Sequence, residues 1–130
     1  MLFTKCILSE TLVEDGLRVS VMSRHTLNDG VTPDPRIQTC HFHIPKFGPS
    51  PKLIGAYYRN EIDWNIFEKN YLVQIRSKPE VISNIRFFIE YAMIHSVTFL
   101  CVEEKPDFCH RRLLAEECQR LEPKLIVEHR

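Results

Sequence analysis

The 130-residue chain has no surplus of charge, since seventeen Lys plus Arg are matched by seventeen Asp plus Glu. Proteins that grip nucleic acid over a broad face show a basic excess, so any polyanion would have to meet a local patch here. No run approaches the ~18 consecutive apolar residues of a membrane span. The opening Met1-Leu2-Phe3-Thr4-Lys5-Cys6 is charged too early for a signal peptide. The expectation is a cytoplasmic protein with no membrane partner.

The dense cysteine spacing of a secreted disulfide scaffold is absent as well. Cys6, Cys40, Cys101, Cys109 and Cys118 are odd in number and scattered, which predicts mostly reduced thiols and leaves a disulfide between two copies open. Cys118 falls on the apolar face of a predicted helix, the usual place of a small buried thiol. Neither Cys-x2-Cys nor His-Glu-x-x-His spacing occurs, so no residue is assigned to a metal and no cofactor is called for.

What is present is an ordinary globular composition, 44% hydrophobic and 26% charged, in a length that suits a single domain over residues 1–130. Leu17 to Met22 alternates with period two after Asp15-Gly16 and predicts a strand; Ile37 to Ile44 predicts a second, with His41 and His43 sharing a face. Ser50-Pro51 reads as a cap and first turn for a helix from Lys52 to Arg59. Asp63 would cap another that carries Trp64, Phe67, Tyr71, Leu72 and Ile75 at helical spacing, with Trp64 as a core anchor.

Pro79-Glu80 opens the clearest amphipathic helix, marked by Val81, Ile82, Ile85, Phe88, Ile89, Ala92 and Met93. Val97 to Val102 is an almost unbroken β-favouring run, as in a strand buried on both faces of a parallel sheet. A helix to about Leu121 and a closing strand Lys124 to Val127 follow. Strand, helix, strand in that order predicts an α/β layered fold, with a mostly parallel central sheet flanked by helices. Ligands in such folds gather at the carboxyl ends of the strands, where Cys101, Glu103 and the start of the last helix would meet.

Asp107 would cap that helix and leave other first-turn N–H groups free for an anion. At 100° per residue, His110 and Arg111 straddle its buried face, whereas Cys109 and Arg112 turn outward. Arg111 would then offer its planar fork to a phosphate or carboxylate, the alternative being a partner for Glu103 or Glu104 that closes the loop. Arg24, after the first predicted strand, is a second anion contact in prospect. Cys109, at a helix N-terminus beside His110, has two features that lower a thiol pKa. Cys101 and Cys109 would make a redox pair if close, or zinc ligands with His110 and with His41 or His43 if that strand were adjacent. Tyr57-Tyr58-Arg59 would either stack a base or pack in the core.

From Phe99 to Glu116 the chain carries a hydrophobic strand, Cys101, an acidic loop with Pro106, then Cys109-His110-Arg111 and a helix. In this it resembles the domain-of-unknown-function family 488. The Trp64 to Leu72 stretch and the Pro79-Glu80 helix are similar to that family's small subgroup, and a strand followed by Ser23-Arg24 resembles its first strand and arginine-containing turn. The resemblance covers most of Leu17 to Glu128. It implies a Rossmann-like α/β domain with Arg24, Cys101, Glu103, Cys109, His110 and Arg111 as matching positions, and no particular reaction.

The leading functional expectation is an enzyme, hydrolase or transferase, acting on a small phosphate-bearing ligand such as a nucleotide or nucleic-acid end. Arg111 and Arg24 would hold the anion, while His110, Glu103 or Cys109 would act as acid, base or nucleophile, with Cys101 and Asp107 in support. A non-catalytic protein- or nucleic-acid-binding module and a zinc protein are the competing readings.

Overall fold

The computed structural model describes residues 1–37 and 39–130. Five strands form one sheet: β1 (Leu2–Cys6), β2 (Leu17–Ser20), β3 (Phe42–His43), β4 (Val97–Cys101) and β5 (Val127–His129). Their order is β3-β2-β4-β1-β5, and every pairing is parallel. The helices are α1 (Pro51–Tyr58), α2 (Trp64–Arg76), α3 (Pro79–Ala92) and α4 (His110–Leu121). This is the expected α/β layered fold. Among the described residues no helix is long and apolar enough to cross a membrane.

Local chemistry sets the helix starts. The Ser50 hydroxyl accepts from Leu53 N at 3.2 Å, and the Asp63 carboxylate accepts from Ile66 N at 2.9 Å, so both predicted caps form. Helices α2, α3 and α4 touch one another as well as, for α3 and α4, the sheet, which makes them one layer. Beneath them lie Leu2, Val19, Val97, Phe99 and Cys101. Because side chains alternate along a strand, Lys5, Arg18 and Thr98 point to the opposite face.

There Asp15 is wholly buried and accepts from Lys5 Nζ at 3.0 Å and from Arg18 Nη1 at 2.5 Å. Thr98 Oγ1 donates to the Asp15 carbonyl at 2.6 Å, so one short turn ties β1, β2 and β4 together. The next residue, Gly16, has φ +62°, and a Cβ there would stand 2.2 Å from Ser96 O, so only glycine suits the entry to β2.

Three expectations are corrected. β1 was not foreseen, because Lys5 interrupts its apolar pattern; the ammonium is tolerated inside only through Asp15 and the Glu10 carbonyl. The strand expected over Ile37 to Ile44 shortens to Phe42–His43, and its Gln38 lies outside the described residues. The closing strand begins at Val127 rather than Lys124, since Leu125 is buried in the core and Leu125 N bonds Glu122 O in a turn at 2.9 Å.

Candidate functional site

β4 delivers Cys101 at its carboxyl end on the helix-covered face, and the 102–109 loop then returns the chain to α4. Two consecutive arginines hold that loop. Arg111, fully buried, donates through Nη1 to the Glu103 carbonyl and through Nη2 to the Glu104 carbonyl at 3.3 Å. Arg112 donates to the Asp107 carbonyl at 3.1 Å and pairs with Glu116 at 2.9 Å. Arg111 therefore closes the loop, through backbone oxygens rather than the carboxylates of Glu103 or Glu104.

The cap of α4 also differs from the expectation. Asp107 is exposed and contributes its carbonyl, whereas Cys109 is the N-cap, with extended φ −134° and ψ 137°. A helical wheel does not extend to a residue in that conformation, which is why Cys109 turns inward and is 2% exposed instead of facing solvent.

Cys101, Cys109 and His110 consequently converge. Their Sγ, Sγ and ring-nitrogen atoms all lie within 4.8 Å of one another, and Cys101 Sγ is 3.9 Å from His110 Nδ1. His110 Nε2 sits 2.7 Å from the Val21 carbonyl oxygen. A carbonyl only accepts, so Nε2 is the donor and Nδ1 is the ring nitrogen that faces the thiols. Tyr71 packs against the imidazole at 5.5 Å and is itself anchored by its hydroxyl on Phe47 O at 2.5 Å.

A hydrogen bond from Cys109 holds the Cys101 thiol below its ordinary pKa; burial opposes this, and the Glu103 and Val102 amides and the Arg111 charge assist it. The same contact, with burial, pushes Cys109 far up.

Above the cluster opens a cleft of about 810 Å³, whose lining includes Met22, Arg24, Tyr57, Tyr58, Trp64 and Phe108. Cys101, Glu103, Cys109 and His110 also line it, whereas Arg111 and Asp107 do not. Glu103 Oε1 accepts from Tyr58 OH at 3.1 Å; although the Tyr58 side chain as a whole is exposed, partial loss of hydration at the cleft together with the Glu103 charge raises the phenol's pKa. Trp64 stacks on Phe67 at 5.1 Å and meets Phe108 edge-on at 5.5 Å, so this core anchor also forms part of the cleft wall.

His41 and His43 are engaged elsewhere. His41 Nδ1 accepts from Arg18 N at 2.9 Å, and His43 stacks on His25 with ring centroids 3.7 Å apart. Tyr58 is the site residue whose role sequence reasoning missed. Its partnership with Glu103 spans 45 residues and leaves no trace in spacing.

The model of the DUF488-N3a family, described as the active DUF488-N3 subclade, matches residues 2–121. The chain belongs to that family. No curated protein and no solved structure matches it. The DUF488-N3a match runs from β1 through α4 and so includes every residue of the cleft described above, in agreement with the small-subgroup resemblance.

Proposed function

We propose that this protein is an enzyme acting on a small phosphate-bearing ligand, a nucleotide or nucleic-acid end, held in the cleft at the carboxyl end of β4. The observation that carries the reading is the convergence in one cleft of a thiol pair, an imidazole, a carboxylate and an exposed arginine. Such mixtures of proton-transfer and charge-stabilising groups in a concave site are the ordinary equipment of catalysis. The description of the matched subclade as active agrees with it.

Each residue has a distinct part. Arg24 at the mouth supplies the charge for a phosphate, because Arg111 is occupied by the loop carbonyls. Glu103, oriented by Tyr58, takes or returns a proton, and Cys101, Cys109 and His110 stand at the reacting centre. The aromatic wall of Tyr57, Trp64 and Phe108 gives a base a surface on which to stack.

The test is thermal denaturation with phosphate, pyrophosphate and nucleoside mono- and diphosphates, comparing the native chain with Arg24→Ala. Stabilisation that weakens in the variant supports the assignment; no shift with any of these anions removes it. The double arginine clamp on the loop favours a second reading, a non-catalytic module in which Cys-His-Arg only secures α4. That reading gains if binding of a macromolecule survives Glu103→Gln with no turnover in either protein.

A further inference from the structure

We infer that Cys101, Cys109 and His110 form a binding site for a zinc-class divalent cation, three protein ligands leaving the fourth position open to the cleft. The donor set is two sulfurs and one imidazole nitrogen, which favours zinc over the hard cations magnesium and calcium. In a tetrahedral site with Zn–S ≈ 2.3 Å and Zn–N ≈ 2.0–2.1 Å, sulfur and nitrogen stand roughly 3.6 Å apart. Cys101 Sγ and His110 Nδ1 are already at 3.9 Å, and all three ligand atoms lie within 4.8 Å, so small side-chain rotations suffice.

The surroundings support the same assignment. Metal-binding histidines usually donate their second ring N–H to a carbonyl or carboxylate, which fixes the tautomer and aims the ligand nitrogen. His110 does this with Val21 O at 2.7 Å and so presents Nδ1 inward. Three protein ligands with an open position are the pattern of catalytic zinc, whereas structural zinc is closed by four.

All three ligands line the cleft, so a water or a phosphate oxygen entering it would complete the tetrahedron. Metal binding stands independently of the catalytic reading above; the role of the open position rests on it. The sequence raises these three as zinc ligands only as an alternative, because Cys109 and His110 are neighbours, Cys101 lies a full loop away, and no metal-binding motif spacing marks the set.

The experiment uses the full chain, purified without a metal-affinity tag or chelator and with its thiols reduced. Elemental analysis is expected to find about one zinc per chain. Cobalt(II) titration of metal-depleted protein is expected to give the thiolate charge-transfer and tetrahedral visible bands. Cys101→Ser and Cys109→Ser should each abolish those bands, and Cys118→Ser, which removes a buried thiol outside the cluster, should keep them. Should a variant fail to fold, alkylation of the native chain replaces it: stoichiometric zinc slows modification of Cys101 and Cys109 and leaves Cys6 unaffected.

Absence of retained zinc together with absence of cobalt bands overturns the site, as do full bands in both serine variants. Phosphate stabilisation of metal-free protein that binds no cobalt rejects the metal alone. Cobalt bands in a protein that no phosphate compound stabilises reject only the phosphate reading.

Discussion

His110 Nε2 donates to the carbonyl oxygen of Val21 at 2.7 Å, a bond that joins the first turn of α4 to the chain leaving β2, 89 residues upstream. It ties together the two segments that flank the cleft floor and fixes which ring nitrogen faces the thiols. His110→Ala leaves the Val21 oxygen unpaired in a buried setting and opens a hole beside Tyr71. The expected loss is about 2–4 kcal/mol of folding free energy, measured by urea denaturation; an unchanged midpoint would show that the bond contributes nothing.

Arg111 is the second structural hinge of the site. Its fork engages two carbonyls at once, a geometry that a lysine ammonium cannot reproduce. Arg111→Lys should destabilise the fold by about 1–3 kcal/mol and speed amide exchange across the 102–109 loop specifically. Exchange raised equally throughout the chain would mean that Arg111 is not a loop clamp.

Acid stability follows from Glu117. Burial opposes its ionisation, yet the Arg76 pair at 2.7 Å and the Arg120 pair at 2.6 Å prevail and hold its pKa down to about 2. Its folded pKa thus lies below the unfolded value of about 4.3. The stability it contributes is fully present above that unfolded value and is lost as pH falls from there through about 2. Between pH 5 and pH 2 the melting temperature of the native chain should fall more steeply than that of Glu117→Gln, and parallel slopes would refute the assignment.

Tyr58→Phe removes the hydroxyl that orients Glu103 but touches an exposed side chain, so stability should change by no more than about 0.5 kcal/mol. If Glu103 transfers a proton during turnover, the rate limited by that step should drop on the order of tenfold, with the affinity for phosphate compounds preserved. A variant equal to the native chain in both respects would leave Glu103 without a positioned role.

Much of the fold was legible because it rests on local signals. The caps at Ser50 and Asp63, the apolar stripe of α3 and the continuous apolar run of β4 each announce themselves within a few residues. β1 did not, since its Lys5 is acceptable only because Asp15 and the Glu10 carbonyl meet it across a turn. The neighbourhood of Cys101, Glu103, His110 and Arg111 could be anticipated from the strand-to-helix passage. The orientation of Cys109 could not, because it depends on a cap conformation that the 102–109 loop imposes.

By itself the sequence determined the layered α/β class, the helix boundaries set by side-chain caps, and which stretch would bring thiol, imidazole and guanidinium groups together. These follow from periodicity and short-range hydrogen bonding, whose range is a turn or two. Tertiary structure alone decided that Arg111 holds the loop instead of opening to the cleft, that Tyr58 meets Glu103, and that Val21 sets the tautomer of His110. Those choices depend on carbonyls and hydroxyls up to 89 residues away, and only the packed sheet brings such groups within hydrogen-bond reach.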